Sequence, residues 1–288
     1  MKTGDIMSDC KYVDVHTHVN LAAFKDDQDD VTKRALLAGV AHINVGTQRD
    51  TSQAAVTLAE KYDEGVYAAI GLHPVHTSKS FHDAQELDSA PTADAKGFVS
   101  RGEIFDHDFY KTLAAHPKVV AIGECGLDYY RLDEGTAAVQ KEAFVSQIEL
   151  ANEVGKPLML HIRSGSGANA YRDAHELLKA HAKVLGNVHF FAGSVEDAKL
   201  FLELGYTISF TGVITFTHDY DEVVAYAPLD MLHAETDAPY VTPAPHRGTR
   251  NEPFNVQEVV KKIAEIKNLD LETVRVQLRE NAKRMFGI

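Results

Sequence analysis

The chain has 288 residues, and its 29 lysines and arginines against 42 aspartates and glutamates give a formal net charge of −13. Hydrophobic residues make up 44% and charged residues 25%, ordinary proportions that exclude a disordered, collagen-like or coiled-coil protein. The acidic balance argues against a long footprint on duplex DNA, because sequence-independent binding to phosphates needs a basic face. It leaves room for a nucleic-acid end to enter a metal site.

The first residues of the chain and the lengths of its apolar runs indicate the cellular compartment we expect. The first residues, MKTGDIMSDC, lack the apolar segment and cleavage site of a secretory signal, and no run of about 18 apolar residues follows. The two cysteines, Cys10 and Cys125, are too few for a disulfide framework. We therefore expect a cytoplasmic protein that has no membrane partner, and no obligate protein partner is evident from the sequence.

Eight short runs with strand character alternate with helical stretches along the chain. The predicted strands are residues 12–16, 41–45, 66–71, 119–123, 157–161, 188–191, 206–210 and 231–235. This alternation indicates parallel βαβ units, and eight of them predict an α/β protein with a (β/α)8 TIM-barrel fold. A doubly wound open sheet has the same alternation, but the sequence contains neither G-x-G-x-x-G after the first strand nor a P-loop.

The residues between the predicted strands indicate where helices begin and end and where the domain lies. Helical stretches at 32–37, 138–154 and 194–204 each end close to a glycine, and residues 256–285 predict two amphipathic helices that close the barrel. About 50 residues separate the third and fourth strands, more than a βα unit needs. We therefore predict an N-terminal extension at 1–11 and a single domain at 12–288. Within that domain, residues 76–108 form an inserted loop region.

Candidate metal ligands stand at the carboxyl ends of the predicted strands. The first strand ends in DVHTH, where His16 and His18 are two residues apart and therefore point to the same side of an extended chain. Because the sequence has 15 histidines, about one such pair is expected by chance, and this pair alone is weak evidence. Other predicted strands lead to four further candidates, Glu124, His161, His189 and Asp237. In a (β/α)8 barrel these ends meet on one face, where active sites lie.

The six candidates provide imidazole nitrogens and carboxylate oxygens, which suit zinc, manganese or magnesium. Six ligands exceed what one tetrahedral ion takes, so we predict two divalent metal ions per chain. A carboxylate can bridge two ions through its two oxygens, and we place Glu124 between them. In this prediction one ion is bound by His16, His18 and Asp237, and the other by His161 and His189.

Seven motifs occur in order along the chain: DVHTH, GLHP, AIGECGLDYY, HIR, HFFAG, ETDAP and RGTRNEP. This ordered set resembles the TatD-type metal-dependent deoxyribonucleases, a family of amidohydrolase-like barrels. The resemblance implies a dinuclear site and a DNA substrate, and the six candidate ligands occupy the metal-ligand positions of the family. The chain departs from the pattern at Phe190, where the family often has cysteine, and in the 76–108 insertion, which bears on substrate size.

Basic residues near the predicted ligands are candidate substrate contacts. Arg163 can hold a phosphate bidentately or serve as an ion-pair anchor. His73, in GLHP, can contact substrate or donate a proton, or it can order its own loop. Arg247, together with Arg250 and Asn251, can form anion contacts at the mouth of the barrel or belong to a charged loop tied to the rim.

Three other features are open to more than one interpretation. Tyr129 and Tyr130 can stack on a nucleobase, as aromatic residues do in proteins that bind single strands, or they can pack in the barrel wall. Strand alternation turns Cys125 away from Glu124, and we interpret it as a small packed residue. The acidic run at 26–30 fits a solvated helix start, and we assign it no metal.

The predicted metal ligands indicate a metal-assisted hydrolase, and the family resemblance implies that the bond cleaved is a phosphodiester of DNA. We expect a deoxyribonuclease that acts as a 3′–5′ exonuclease on single-stranded DNA or RNA ends or short oligonucleotides, with Glu124 and Asp237 as catalytic residues and Asp237 as the proton acceptor. The alternative is a metal-dependent hydrolase of a small ester, an amide or an ester-linked nucleic acid on the same barrel. A scaffold with a structural metal is disfavoured, because structural sites usually close with four ligands.

Overall fold

Eight parallel strands form the central sheet of the protein, as the sequence predicts. The structure is a computed structural model that describes residues 10–79, 81–82, 98–99, 102–130, 135–165 and 167–288. The hydrogen-bonded order of the sheet is β1-β2-β3-β6-β7-β8-β9-β10. Its strands are β1 (Tyr12–Thr17), β2 (Val40–Val45), β3 (Val66–Ile70), β6 (Val119–Asp128), β7 (Leu158–Arg163), β8 (Gly186–His189), β9 (Thr207–Phe210) and β10 (Leu232–Ala234).

Backbone hydrogen bonds bring the last strand back to the first and nearly close the barrel. The N–H of Asp237 donates to the carbonyl of His16 at 2.9 Å, and the N–H of His18 donates to the carbonyl of Ala238 at 2.8 Å. Both bonds lie just beyond the carboxyl ends of β1 and β10. The closure therefore brings the DVHTH and ETDAP motifs side by side.

Helices follow the strands in the order that a (β/α)8 barrel requires. They are α1 (Gln28–Leu37), α2 (Arg49–Glu60), α3 (His107–Ala114), α4 (Thr136–Val154), α5 (Ala170–His181), α6 (Val195–Glu203), α7 (Asp221–Tyr226), α8 (Val256–Lys267) and α9 (Leu271–Phe286). Gly155 follows α4 with a φ of 66° and accounts for the predicted stop, because glycine adopts the left-handed region without steric cost. Among the helices of the described ranges, none combines the length and apolarity needed to cross a bilayer.

The last two helices cover the place where the first strand, β1, and the last strand, β10, come together. Helices α8 and α9 pack on each other and against β1 and β10. One apolar cluster joins Ala282 and Phe286 of α9 to barrel residues that include Val15, Ile43 and Met159. The predicted pair of amphipathic helices at 256–285 therefore covers the seam between the first and last strands.

Part of the predicted insertion forms a short antiparallel ribbon between β3 and α3. Strand β4 (Phe81–His82) pairs with β5 (Phe98–Val99). The N–H of Glu103 donates to the carbonyl of His76 at 2.7 Å, so the chain returns to the rim before α3 begins. The remainder of the predicted 76–108 region, apart from 76–79 and 102–108, lies outside the described residues, as do residues 1–9 of the predicted extension. The domain limits stay a prediction.

Two strands extend further than the sequence pattern predicts. The fourth barrel strand, β6, continues past Gly123 to Asp128, and β7 continues past His161 to Arg163. The extensions pair with each other, with Gly126 opposite His161 and Asp128 opposite Arg163. Charged residues and glycines usually indicate the end of a strand in a sequence. At this barrel mouth they continue the hydrogen-bonded pairing of β6 with β7. Glu124 therefore lies within a strand instead of after one.

Candidate metal centre

The six predicted metal ligands meet at the carboxyl-terminal mouth of the barrel. His16 is in β1, Glu124 in β6 and His161 in β7, whereas His189 is the last residue of β8. His18 and Asp237 stand just after β1 and β10, on the two segments that the closing hydrogen bonds join. The side chains are buried or nearly so, with His161 the most accessible at 19% exposure. Convergence of the strand ends thus produces one compact group of nitrogen and oxygen donors.

Irregularities in strand pairing occur at two of these ligands. The β1–β2 register shifts between Asp14 and Thr17, the segment that contains His16. The β6–β7 register shifts between Ile122 and Cys125, the segment that contains Glu124. A bulge re-aims a side chain that strict alternation would direct elsewhere, and bulges are common beside active sites. The local backbone at both positions is therefore shaped to present a ligand.

His16, His18 and Asp237 form the first ligand group. The Nε2 atoms of the two histidines lie 3.2 Å apart. Oδ1 of Asp237 lies 3.2 Å from Nε2 of His18 and 3.7 Å from Nε2 of His16. The Nδ1 of His18 lies 2.9 Å from the carbonyl of Val45, which orients the ring with Nε2 toward the centre. Two imidazole nitrogens that face one carboxylate oxygen at these distances fit a divalent cation.

Glu124 lies between the first ligand group and a second. Its Oε2 is 3.5 Å from Nε2 of His16. Its Oε1 is 2.9 Å from Nε2 of His189 and 3.0 Å from Nδ1 of His161. The same Oε1 also lies 3.3 Å from Nε2 of His73. The two carboxylate oxygens therefore face different histidines, as a carboxylate that binds two cations requires.

The carboxylates of the centre are held in the ionised form. Burial raises the pKa of Glu124, but the charges of His73, His189 and His16 outweigh burial and lower this pKa well below its usual value. Burial also raises the pKa of Asp237, and its hydrogen bond and charge interaction with His18 reverse the direction and lower this pKa. Both side chains therefore offer anionic oxygens at neutral pH.

Three histidines of the centre hold a proton more strongly than usual because carboxylates lie near them. Burial lowers the pKa of each of these rings, but nearby carboxylates outweigh it. The pKa of His18 is raised by Asp237, that of His161 by Asp128 and Glu124, and that of His189 by Glu124 and Glu235. By contrast, burial and the charge of His189 lower the pKa of His16. A cation can replace these protons, because metal ligands must be deprotonated to bind.

Two buried carboxylates that the sequence analysis did not assign support the ligands from behind. Oδ2 of Asp128 lies 2.9 Å from Nε2 of His161. Oε1 of Glu235 lies 3.5 Å from Nδ1 of His189 and accepts the N–H of Phe190 at 2.5 Å, and Oε2 accepts the hydroxyl of Ser209 at 2.7 Å. Their spacing from ligands was an available signal, since Asp128 is four residues after Glu124 and Glu235 two before Asp237.

Phe190, the predicted departure from the family pattern, contacts Glu235 through its backbone. Its φ is 44°, an uncommon value for a bulky residue, and its N–H points to the Glu235 carboxylate. Because the contact uses the main chain, the residue type at 190 does not remove it. This is consistent with the family motif continuing through HFFAG.

The loop that carries Asp237 is anchored to β1 by a buried carboxylate. Asp14 accepts the N–H of Thr236 at 2.8 Å and the hydroxyl of Thr236 at 2.5 Å. Asp237 itself has a φ of 52°, a left-handed value that costs about 1–3 kcal/mol and persists only where surrounding contacts impose it. The Asp14–Thr236 pair provides such contacts one residue earlier.

His73 lies beside Glu124, and its loop fixes which ring nitrogen carries the proton. The N–H of Val75 donates to Nδ1 of His73 at 3.2 Å. Neutral His73 therefore carries its proton on Nε2, which faces Glu124. Burial lowers the pKa of His73, with a further lowering by His161. Both predicted roles are compatible with this geometry, because the ring orders the loop through Nδ1 and presents a donor through Nε2.

The arginines predicted to contact substrate have different partners in the structure. The guanidinium of Arg163 stacks 3.8 Å from the centre of the Tyr130 ring, and that of Arg247 stacks 3.8 Å from the centre of the Phe216 ring. Arg250 is an ion-pair anchor, since it contacts Asp27 at 2.5 Å and lies over Phe24.

Asn251 is a structural residue of the rim. Its side chain is buried, and its amide donates to the carbonyls of Thr236 and Tyr240 at 3.0 and 2.7 Å. For Arg250 and Asn251 the structure therefore supports the alternative of a loop tied to the rim.

The adjacent tyrosines have different environments. Tyr129 is buried in the wall and donates its hydroxyl to Asp173 at 2.9 Å, whereas Tyr130 keeps 47% of its surface exposed. Cys125 is fully buried, and burial raises the pKa of its thiol, as expected of a packed residue. Wall packing therefore describes Tyr129 alone.

Comparison with known proteins identifies the family. The sequence profile of the TatD-related DNases matches residues 13–287. YabD of Bacillus subtilis, named an uncharacterized metal-dependent hydrolase, is 39% identical over 280 residues, which cover 96% of this chain and 98% of that protein. The 3′-5′ ssDNA/RNA exonuclease TatD of Yersinia pseudotuberculosis is 33% identical over 292 residues, covering 96% of this chain and 99% of that one.

A solved structure agrees with both the fold and the family. The crystal structure of YjjV, a TatD homologue from Escherichia coli K12, has a TM-score of 0.77 and 27% sequence identity, and the match covers 97% of this chain and 99% of that chain. The resemblance of the seven motifs is confirmed by these matches along the chain. The protein therefore belongs to the TatD family of metal-dependent hydrolases.

Proposed function

We propose that the protein is a divalent-metal-dependent nuclease that removes nucleotides from the 3′ end of single-stranded DNA or RNA. The observation that carries the proposal is the position of Glu124, whose two oxygens face two groups of ligands at an open barrel mouth. The name of the Yersinia pseudotuberculosis relative, a 3′-5′ ssDNA/RNA exonuclease, supports the choice of substrate.

We assign two cations to the centre, with Mg²⁺, Mn²⁺ and Zn²⁺ as the candidate ions. His16, His18 and Asp237 are the ligands proposed for one ion and His161 and His189 for the other, and Glu124 is shared. When bound, such a pair lowers the pKa of a coordinated water and neutralises charge that develops on a phosphate. The donor set supports the proposal because it consists of imidazole nitrogens and carboxylate oxygens alone.

The chain's own residues supply the remaining steps. Asp237, held anionic beside His18, is the proposed acceptor of the proton from the attacking water. His73 presents Nε2–H toward the same space and is the proposed hydrogen-bond donor to the phosphate or to the leaving oxygen. Arg163, the last residue of β7, is the proposed contact to a non-bridging phosphate oxygen. Arg247 is assigned to a neighbouring phosphate of the strand.

The test of this function is hydrolysis of a single-stranded oligonucleotide labelled at its 5′ end, after loading the protein with Mg²⁺, Mn²⁺ or Zn²⁺. A stepwise ladder is expected, together with slower loss of a blunt duplex. Asp237→Asn should lower kcat by ~100-fold or more, since removing a general base costs about 10²–10⁴. Asp108→Asn is the matched control, because Asp108 is fully exposed on α3.

The possible results separate the two predicted enzymes. Release of the labelled 5′-terminal nucleotide at the first step would indicate that the enzyme acts in the 5′–3′ direction. Internal fragments would indicate endonuclease action. Intact oligonucleotide with every metal, combined with hydrolysis of a small ester such as 4-nitrophenyl acetate that Asp237→Asn abolishes, would replace the nuclease proposal with the small-ester alternative.

A further inference from the structure

Two exposed aromatic rings stand at the mouth of the barrel, each with an arginine stacked on one face. Tyr130 is 47% exposed and Phe216 is 42% exposed. The guanidinium of Arg163 lies 3.8 Å from the centre of the Tyr130 ring, and the guanidinium of Arg247 lies 3.8 Å from the centre of the Phe216 ring. The same pairing of an exposed ring with an arginine thus occurs at both of these places.

Both pairs follow carboxyl ends of barrel strands, the side on which Glu124 lies. Tyr130 comes two residues after β6, and Arg163 ends the neighbouring strand β7. Phe216 follows β9, and Arg247 lies in the loop after β10, the next strand in the sheet. Only β8, which ends in the ligand His189, separates the two pairs of strands. The pairs therefore flank one sector of the metal centre.

The local backbone holds these rings and cations in defined positions. The N–H of Tyr129 donates to the carbonyl of Arg163 at 2.7 Å, which ties the Tyr130 segment to the end of β7. The Nη1 of Arg247 donates to the carbonyl of Thr242 at 2.9 Å. The N–H of Phe216 donates to the carbonyl of Val213 at 3.2 Å. Ordering these groups before binding reduces the entropy lost when a ligand docks.

We propose that Tyr130 and Phe216 are base-stacking platforms for two parts of a single strand, and that Arg163 and Arg247 contact the phosphates beside those bases. A nucleotide offers a flat base and an anionic phosphate close together, and each pair offers a flat ring and a cation close together. Paired bases inside a duplex have no free face, so these platforms select unpaired strands. The inference rests on the proposed function and defines its substrate class.

The test compares an oligodeoxythymidylate with the same strand in which the bases near the 3′ end are replaced by abasic tetrahydrofuran residues. Tyr130→Ala and Phe216→Ala should each raise KM for the intact strand by ~10-fold, since base–aromatic stacking is worth about 1–3 kcal/mol per base. KM for the abasic strand, which is already weakly bound by the wild type, should change less than about twofold. Tyr226→Ala is the matched control.

Tyr226 suits this purpose because it resembles Tyr130 but is remote from the mouth. It is also 47% exposed, and Nζ of Lys199 lies 5.3 Å from the centre of its ring. It ends α7 shortly before β10 begins, so it lies at the amino-terminal end of the barrel. Tyr226→Ala should leave KM unchanged for both strands.

A second measurement keeps the inference testable if the enzyme proves to act on another substrate. Fluorescence anisotropy of both strands is recorded with the Asp237→Asn protein, alone and combined with Tyr130→Ala or Phe216→Ala. Loss of affinity that is confined to the intact strand supports stacking, whether or not any strand is cleaved. Equal loss for intact and abasic strands, or no loss for either, overturns the inference. Failure of the proposed function appears separately, as intact oligonucleotide with the wild-type protein.

Discussion

Asp128 and His161 form a partly buried pair in which Oδ2 of the aspartate lies 2.9 Å from Nε2 of the histidine. The other ring nitrogen, Nδ1, lies 3.0 Å from Oε1 of Glu124. Asp128 is held in turn by the N–H of Tyr130 at 2.9 Å, and although burial raises its pKa, His161 lowers the pKa to about 2. An ionised carboxylate behind a histidine fixes the tautomer and orientation of the ring. Asp128 thus directs Nδ1 of His161 toward the shared carboxylate.

Replacing this carboxylate should weaken metal binding. Asp128→Asn keeps the size of the side chain but removes its charge, so His161 becomes a poorer ligand. The affinity for Zn²⁺ or Mn²⁺, measured by competition with a chromophoric chelator, should fall by about 10- to 100-fold. Asp108→Asn serves again as the control, because Asp108 is exposed on α3. Unchanged affinity in Asp128→Asn would show that the aspartate does not support the ligand.

The number of bound ions should distinguish Glu124 from the other ligands. If Glu124 is shared by two ions, Glu124→Gln should lose both, whereas Asp237→Asn should lose only the ion bound near His18. Metal content after exhaustive dialysis, measured by elemental analysis, should therefore fall close to zero in the first variant and by about half in the second. Equal losses in the two variants would contradict the shared position of Glu124.

Gly126 should tolerate no side chain, because it lies against the backbone of a proposed ligand. Its φ is 138°, and a Cβ atom added there would come 2.1 Å from the carbonyl oxygen of His161. Gly126→Ala should therefore reduce the free energy of unfolding by roughly 3 kcal/mol or more, measured by urea denaturation.

Gly167→Ala is the control for this substitution. Among the described residues other than its chain neighbours, none has a heavy atom within 4 Å of a Cβ added at Gly167. The free energy of unfolding should change by less than about 1 kcal/mol in this variant. Similar stabilities of the two variants would show that β6 and β7 can separate at this point without cost.

Stability should depend on pH through His42, which lies in β2 and is fully buried. Burial lowers the pKa of His42 to about 4. The unfolded chain, with a pKa near ~6.5, binds this proton first, so the folded state loses stability as pH falls from ~6.5 to ~4. The loss attributable to this residue is about 3 kcal/mol, because the pKa of His42 differs between the folded and unfolded chain by the amount just given.

A difference measurement isolates this contribution. The free energy of unfolding is measured across that pH range for the wild type and for His42→Asn. The two curves should converge toward low pH as the wild type loses stability that the variant does not lose. Parallel curves would show that His42 is not held neutral by the fold.

The barrel and the identity of the clustered donors are predictable from the sequence alone. Alternating strand and helix patterns predict which residues are apolar and which face a core, and eight such units leave few arrangements. His16 and His18 were predictable because the separation of two residues along a strand places both on one side. Glu124, His161, His189 and Asp237 were predictable because carboxyl ends of parallel strands converge.

The support of these residues, and the accessibility of their neighbours, depend on the tertiary structure. Asp128 becomes a partner of His161 through the extension of β6 and β7, and Glu235, just after β10, becomes a partner of His189 at the end of β8. Likewise, the sequence of the two adjacent tyrosines does not indicate that Tyr129 is buried and Tyr130 exposed. Local patterns specify the side of a strand on which a residue lies, whereas partners and exposure depend on packing between segments that are distant in sequence.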